Sequence, residues 1–418
     1  MASGDHSLQT GRFFPFRLVR RERWIMKRKT FAAAVLLAGL TGVGAVPGLA
    51  FADGGGPDYR NDDRGGHGHH QEDGDDGAVF VQTNKAEGNT IKVYDRDEDG
   101  RLSPRGEFET GGLGGFTVGA PGDALASQGS LRYHDGLLFA VNAGSNTVTV
   151  FRVDGTKLNR LQVIWSHGLL PVSIDVRDDL VYVLNAGGEG SVQGFHLHKG
   201  RLSPIEGAHR SLGLHNGNPP AFMTAPAQVE IDPEGKFVLV STKAANVMFT
   251  YRIGRDGELS RNPVISDAGN TPFGFTFDTE DTLLVTESGS NEVSRFELER
   301  DGRLDQIGPS VPNGQQAPCW IQQVGDYFFV ANAGSSTISS YKVDRDGKLV
   351  LVKAVAADTG GGSIDLTAAD GFLYVQNAAA GNVQGYEIGK DGSLHLVTEV
   401  SGLPKFENGI GMEGIAAS

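Results

Sequence analysis

The 418-residue sequence predicts an all-β fold, a seven-bladed β-propeller closed by its C-terminal strand pairing into blade one. Three observations carry this. A strand–bend–strand unit recurs seven times. A tight turn, usually Asp-Gly, follows at a fixed place in the unit. The first unit lacks an upstream strand, and the last residues of the chain supply one. Gly makes up 60 of 418 residues, about twice the usual share of roughly 7%. These glycines have no three-residue period, which excludes collagen. They sit at turns.

Residues 1–52 read as a leader. Lys27, Arg28 and Lys29 form a basic region, Phe31 to Val46 an apolar run too short to span a membrane, and Ala50-Phe51-Ala52 a small-x-small cleavage site. Met26 begins a more usual signal peptide, so residues 1–25 read as an over-called start. The expectation is a secreted, extracellular protein beginning at Asp53 with no membrane span. Residues 1–52 hold 8 Lys/Arg and 2 Asp/Glu, so cleavage takes the formal charge from −14 to −20. Such a surface repels nucleic acid and anionic lipid. The lone cysteine, Cys319, leaves no internal disulfide. Stability must then come from packing and topology.

Residues 53–77 carry almost no apolar side chains and read as a disordered acidic linker. Its His67, His69 and His70 are possible metal ligands with nothing to fix them, so no metal site and no cofactor is expected. The propeller occupies residues 78–418. Its second strands lie at 78–84, 138–142, 181–185, 238–242, 283–287, 328–332 and 373–377. Their last residues fall 58, 43, 57, 45, 45 and 45 apart, so the two long gaps mark insertions. Upstream strands read as PVSIDV (171–176), PAQVEI (226–231) and PFGFTF (272–277). GMEGIAAS (411–418) supplies the strand missing from unit one. Asp95–Gly100 imitates a calcium loop but lacks the Glu at its twelfth position, so it reads as a hairpin turn.

In a propeller the first-to-second turns lie on one face. The second-to-third connections and the links between blades lie on the other. That second face collects the long segments 113–128, 208–226, 309–318 and 401–411 and is the expected site, around the channel. Its bend residues include Asn142, Asn185 and Asn332, which either cap their own turns or bind ligand. Lys243 and Glu287 place charges in that series. Counting twelve residues back from each bend gives Ser130, Ser173, Glu230, Phe275, Trp320 and Asp365 on the innermost strands, with Arg132, Gln228 and Gln322 close by. Glu230, Asp365 and Arg132 must be ion-paired or face the channel.

The segments NAGSNTVTVFRVDG, LVYVLNAGGEGSVQGF, VEIDPEGKFVLVSTKAANVMFTYRIGRDGEL and NAGSSTISSYKVDRDGKL resemble the lactonase-family seven-bladed propellers over residues 78–418, and also YVTN-type surface propellers. The lactonase family includes propeller-type 6-phosphogluconolactonase and carboxy-muconate lactonizing enzyme. Glu287 matches the acidic residue its members often carry. Their His-x-His is replaced by Ala225-Pro226-Ala227-Gln228, and their Pro-Arg-His by Pro272-Phe273-Gly274. The resemblance implies a lactone hydrolase without metal, with Glu287 or Glu230 as general base and Lys243 or Arg132 stabilising the oxyanion. Gln228, Trp320, Gln322, Asp365 and the bend asparagines would hold the ligand. The departures and the leader favour a second reading, a non-catalytic propeller on the cell surface or outside it that binds a sugar, peptide or wall component; in either reading a monomer with a small-molecule or carbohydrate ligand is expected.

Overall fold

A computed structural model describes residues 77–418; the leader, all but the last residue of the linker, and its histidines lie outside the described residues. Seven antiparallel sheets follow in chain order, each with four main strands. The innermost strands are Ile415–Ala417 for blade one, then Leu131–His134, Pro171–Arg177, Pro226–Ile231, Pro272–Phe277, Pro318–Val324 and Ser363–Ala369. The second strands end at Gln82, Asn142, Asn185, Thr242, Glu287, Asn332 and Asn377. The bend series sets those ends from Asn142 onward. Among the described residues no helix is long and apolar enough to cross a membrane.

Ring closure is as predicted. Val79, Phe80 and Val81 pair with Ala417, Ala416 and Ile415. Backbone bonds from Gln82 to Gly414 and from Glu413 to Gln82, both 3.0 Å, extend the ladder. Blade one then alternates. Phe80 packs with Leu131 and Leu138 of blade two, while Val79 and Val81 pack with Tyr374 and Val383 of blade seven. Fully burying each such side chain contributes roughly 1.5–3 kcal/mol.

Gly100, Gly200, Gly257, Gly302, Gly347 and Gly392 adopt φ of +73° to +94°, a region that only glycine enters cheaply. Beside the first of them, Asp97 Oδ1 accepts the N–H groups of Asp99 and Arg101. Asp344 repeats this arrangement with Asp346 and Lys348. The calcium-like stretch is a hairpin cap.

The two insertions meet. Val118 forms a bridge with Ala221, and the flanking bonds Val118 to Pro220 (2.8 Å) and Phe222 to Val118 (2.9 Å) lock them together. Beneath them Asp123, Lys243, Glu413 and Trp320 are no more than 3% exposed. The insertions therefore stop that end of the channel.

Candidate functional site

Strand pairing sets the depth of each channel residue. Arg132, Asp175, Glu230, Thr276, Gln322 and Thr367 pair with Phe139, Tyr182, Leu239, Leu284, Phe329 and Tyr374, each three residues before the end of its second strand. These six side chains form one ring around the axis. The ring lines two connected lobes of about 140 and 360 Å³ that share Arg132 and Tyr133. The larger lobe reaches the face of the first-to-second turns, beside Arg177, Pro233 and Gln323. The expected mouth was on the other face, which the insertions fill.

Arg132 Nη2 pairs with Asp175 Oδ1 at 2.8 Å. Asp175 Oδ2 accepts the Ile231 N–H at 2.8 Å, which ties blade three to blade four. Gln228 Nε2 donates to Glu230 Oε2 at 2.7 Å and to the Phe275 carbonyl at 2.9 Å, and its Oε1 accepts the Phe275 N–H. Both ends of that amide are therefore fixed, and it holds Glu230 in place. Burial raises the Glu230 pKa and Asp175 adds to the rise, against Arg132 and Gln228. Burial likewise pushes Asp365 up to about 7. Burial opposes the charge of Arg132, and Asp175, Glu230 and Asp365 together overcome it. Arg132 Nε is buried without a partner.

At the stopped end Lys243 occupies the position that Ala143, Ala186, Ala333 and Ala378 hold in other blades. Its Nζ donates to the Ala126 carbonyl at 2.8 Å and lies 5.3 and 5.2 Å from the ring centroids of Phe222 and Phe273. Burial lowers its pKa to about 7, against the pull of Asp123. Asp123 and Glu413 both accept the Leu125 N–H, at 3.2 and 2.8 Å, and Asp123 also accepts that of Ser127. Their carboxyls share a hydrogen bond, which requires a proton, and burial raises both pKa values. Asp365, Lys243 and Cys319 are the other titratable groups that act on this pair. A raised carboxyl contributes its stability below the unfolded pKa near 4 and loses it as pH rises through the folded value. Lys243, depressed, loses stability as pH falls below its unfolded value. Glu413→Gln keeps the acceptor for Leu125 and supplies a permanent donor. Its Tm should therefore decline less between pH 5 and 8 and exceed wild type at pH 8 by about 2–4 °C, or about 1–2 kcal/mol. Thermal melts across that range check this, and a parallel profile would count against the shared proton.

The remaining candidates are dispersed. Glu287 is 5% exposed and accepts from Asn270 N, Ser290 Oγ, Ser294 Oγ and Ser310 Oγ; no bond joins it to Glu230, Lys243 or Arg132. Asn142 and Asn332 are fully buried and donate to hydroxyls five and seven residues on, while Asn185 donates to Ser166 O and Ser191 Oγ. Trp320 Nε1 donates to the Ser127 carbonyl, and its ring meets Phe273 edge-on at 5.0 Å. Phe275, on its innermost strand as expected, is buried with Phe237 and Leu239 between blades four and five. Sequence reasoning missed Asp175, Asp123 and Glu413. Asp175 was recoverable by aligning strands on their ends, since it stands opposite the same strand position as Arg132. Among the described residues no group of three His, Cys, Asp or Glu is placed to hold a metal.

The sequence profile of a family described as Lactonase, 7-bladed beta-propeller matches residues 189–322 and 313–405. No curated protein matches this chain in sequence. Among solved structures, the Pseudomonas aeruginosa periplasmic gluconolactonase is 20% identical with a TM-score of 0.61, covering 79% of this chain and 98% of its own. A Lactobacillus plantarum protein is 17% identical at 0.61, covering 82% and 98%. A 6-phosphogluconolactonase candidate from Bacteroides uniformis is 17% identical at 0.61, covering 78% and 97%. At these identities the likeness is one of fold.

Proposed function

The chain belongs to the lactonase family of seven-bladed β-propellers, and on that premise we propose that it is an exported hydrolase of small lactones, working where Arg132 and Glu230 line the channel. The observation that carries this reading is the state of the Arg132 guanidinium. Nη2 is fixed by Asp175 and Nε is closed off from solvent, so Nη1, which makes no bond, is the end that faces the two lobes. It is a donor set in place and waiting for an acceptor oxygen. Glu230, held by Gln228, is the adjacent base, and its raised pKa brings it nearer to neutrality than an ordinary carboxylate. In the proposed step ionised Glu230 takes a proton from water, and the oxygen attacks the lactone carbonyl. Arg132 holds the oxyanion. The ring C–O bond then breaks, and Glu230 returns the proton to the leaving alkoxide. One water is consumed and one hydroxy acid forms.

A pH-stat assay of the purified protein on five- and six-membered lactones tests this. Acid release above the spontaneous rate supports the reading, and its absence across the panel removes it. The sealed Lys243 and the saturated hydrogen bonding of Glu287 favour the second reading, a propeller that binds without turnover. That protein would gain thermal stability with the same compounds while releasing no acid. For export, the leader predicts a mature N-terminus at Asp53. N-terminal sequencing of protein recovered outside the cells checks it, and intact residues 1–52 on that protein would contradict it.

A further inference from the structure

We propose that the channel selects uncharged, polyhydroxylated lactones and rejects their phosphate esters, an inference that rests on the hydrolase reading. Three carboxylates, Asp175, Glu230 and Asp365, act on the one guanidinium of the ring, Arg132. The ion pair with Asp175 engages its Nη2 and Nε is closed off from solvent, which leaves Nη1, without a bond, as the group that faces the lobes. That end can hold a carbonyl oxygen, and its charge is already paired with Asp175. A phosphate dianion needs several free donors and a surplus of positive charge. The second guanidinium at the mouth, Arg177, gives its Nη2 to the Pro233 carbonyl on the rim. Lys243 is sealed beneath the insertions at the other end. A dianion carried on the substrate would therefore meet no surplus of positive charge at the ring, where the charge of Arg132 is already matched by Asp175.

The rest of the ring is of a different kind. Thr276, Gln322 and Thr367 add two hydroxyls and a primary amide, and Tyr133 borders both lobes. Gln322 Nε2 bonds only to the neighbouring Gln323 carbonyl, and its Oε1 makes no bond. These groups can each give and accept, which matches the hydroxyls of a sugar lactone. A site built to bond hydroxyls also discriminates against the ring that lacks them.

The experiment compares kcat/KM of the purified protein on D-glucono-1,5-lactone, its 6-phosphate ester and δ-valerolactone. The expected order is gluconolactone first, the phosphate ester lower by about 100-fold, and δ-valerolactone lower by at least about 10-fold. Gln322→Leu and Thr276→Val are expected to narrow the gap between gluconolactone and δ-valerolactone, chiefly by raising KM for the former, with melts confirming that each variant folds. Preference for the phosphate ester overturns the inference and leaves the hydrolase reading standing; if Arg177→Ala then abolishes that preference, the rim is the phosphate site. Equal rates on δ-valerolactone also overturn it. No turnover of any of the three overturns both the inference and the reading beneath it.

Discussion

Glu230→Gln should lower kcat for lactone opening by about 10²–10⁴-fold while leaving the fold intact. Glutamine has nearly the same size and can still bond to Gln228, but it cannot accept the proton from water. The acid limb of the wild-type pH–rate profile should lie above the ordinary glutamate pKa near 4.3. Burial and Asp175 both resist ionisation of Glu230, and only the ionised form is the base. Activity therefore falls as pH drops through the raised value. Glu287→Gln separates the two carboxylates the sequence nominates. Four donors converge on Glu287, so placing an NH₂ among them should cost about 1–3 kcal/mol of stability. Steady-state kinetics and melts on both variants give the answer. Should Glu287→Gln lose kcat and Glu230→Gln keep it, the chemistry lies outside the channel.

The second large effect is on the ring itself. A chain ending at Ile410 should lose cooperative folding, or melt at least 10 °C lower, and associate on size exclusion. It forfeits the burial of Met412, Ile415 and Ala416, each no more than 4% exposed. It also loses the ladder to Val79–Val81 and the Glu413 contact with the 113–128 insertion. The Gly77–Gln82 strand, still paired to Thr90–Arg96, then has one open edge ready to take a strand from another molecule. A synthetic peptide of residues 404–418 should restore the melt in trans. An unchanged monomeric melt without those residues would mean that closure contributes little.

Much of the wheel was legible in the sequence because its signals are local. Asn-Ala at the bends and Asp-Gly at the turns mark strand ends almost to the residue, since each fixes a backbone shape that few other residues accept. The missing strand of blade one was a matter of counting. Channel depth was less legible. The interval of twelve assumes equal first hairpins, yet Asp232–Lys236 and Asp278–Asp281 make longer turns than Asp135–Gly136 or Asp178–Asp179. The interval therefore put Glu230 and Phe275 at the depth of Ser173 and Trp320. Pairing puts Glu230 instead level with Arg132 and Asp175, and sends Phe275 between blades. The direction of the open mouth was not legible at all. It depends on Val118 meeting Ala221, about a hundred positions apart, and no local pattern encodes that encounter.

A well with a blind floor has one doorway. Whatever enters must leave by the same route, so a reaction product and a fresh substrate contend for a single passage, and inhibition by product should be competitive. Nothing can be threaded through. Long polymers could offer only a terminal sugar, and their interior units would stay beyond reach.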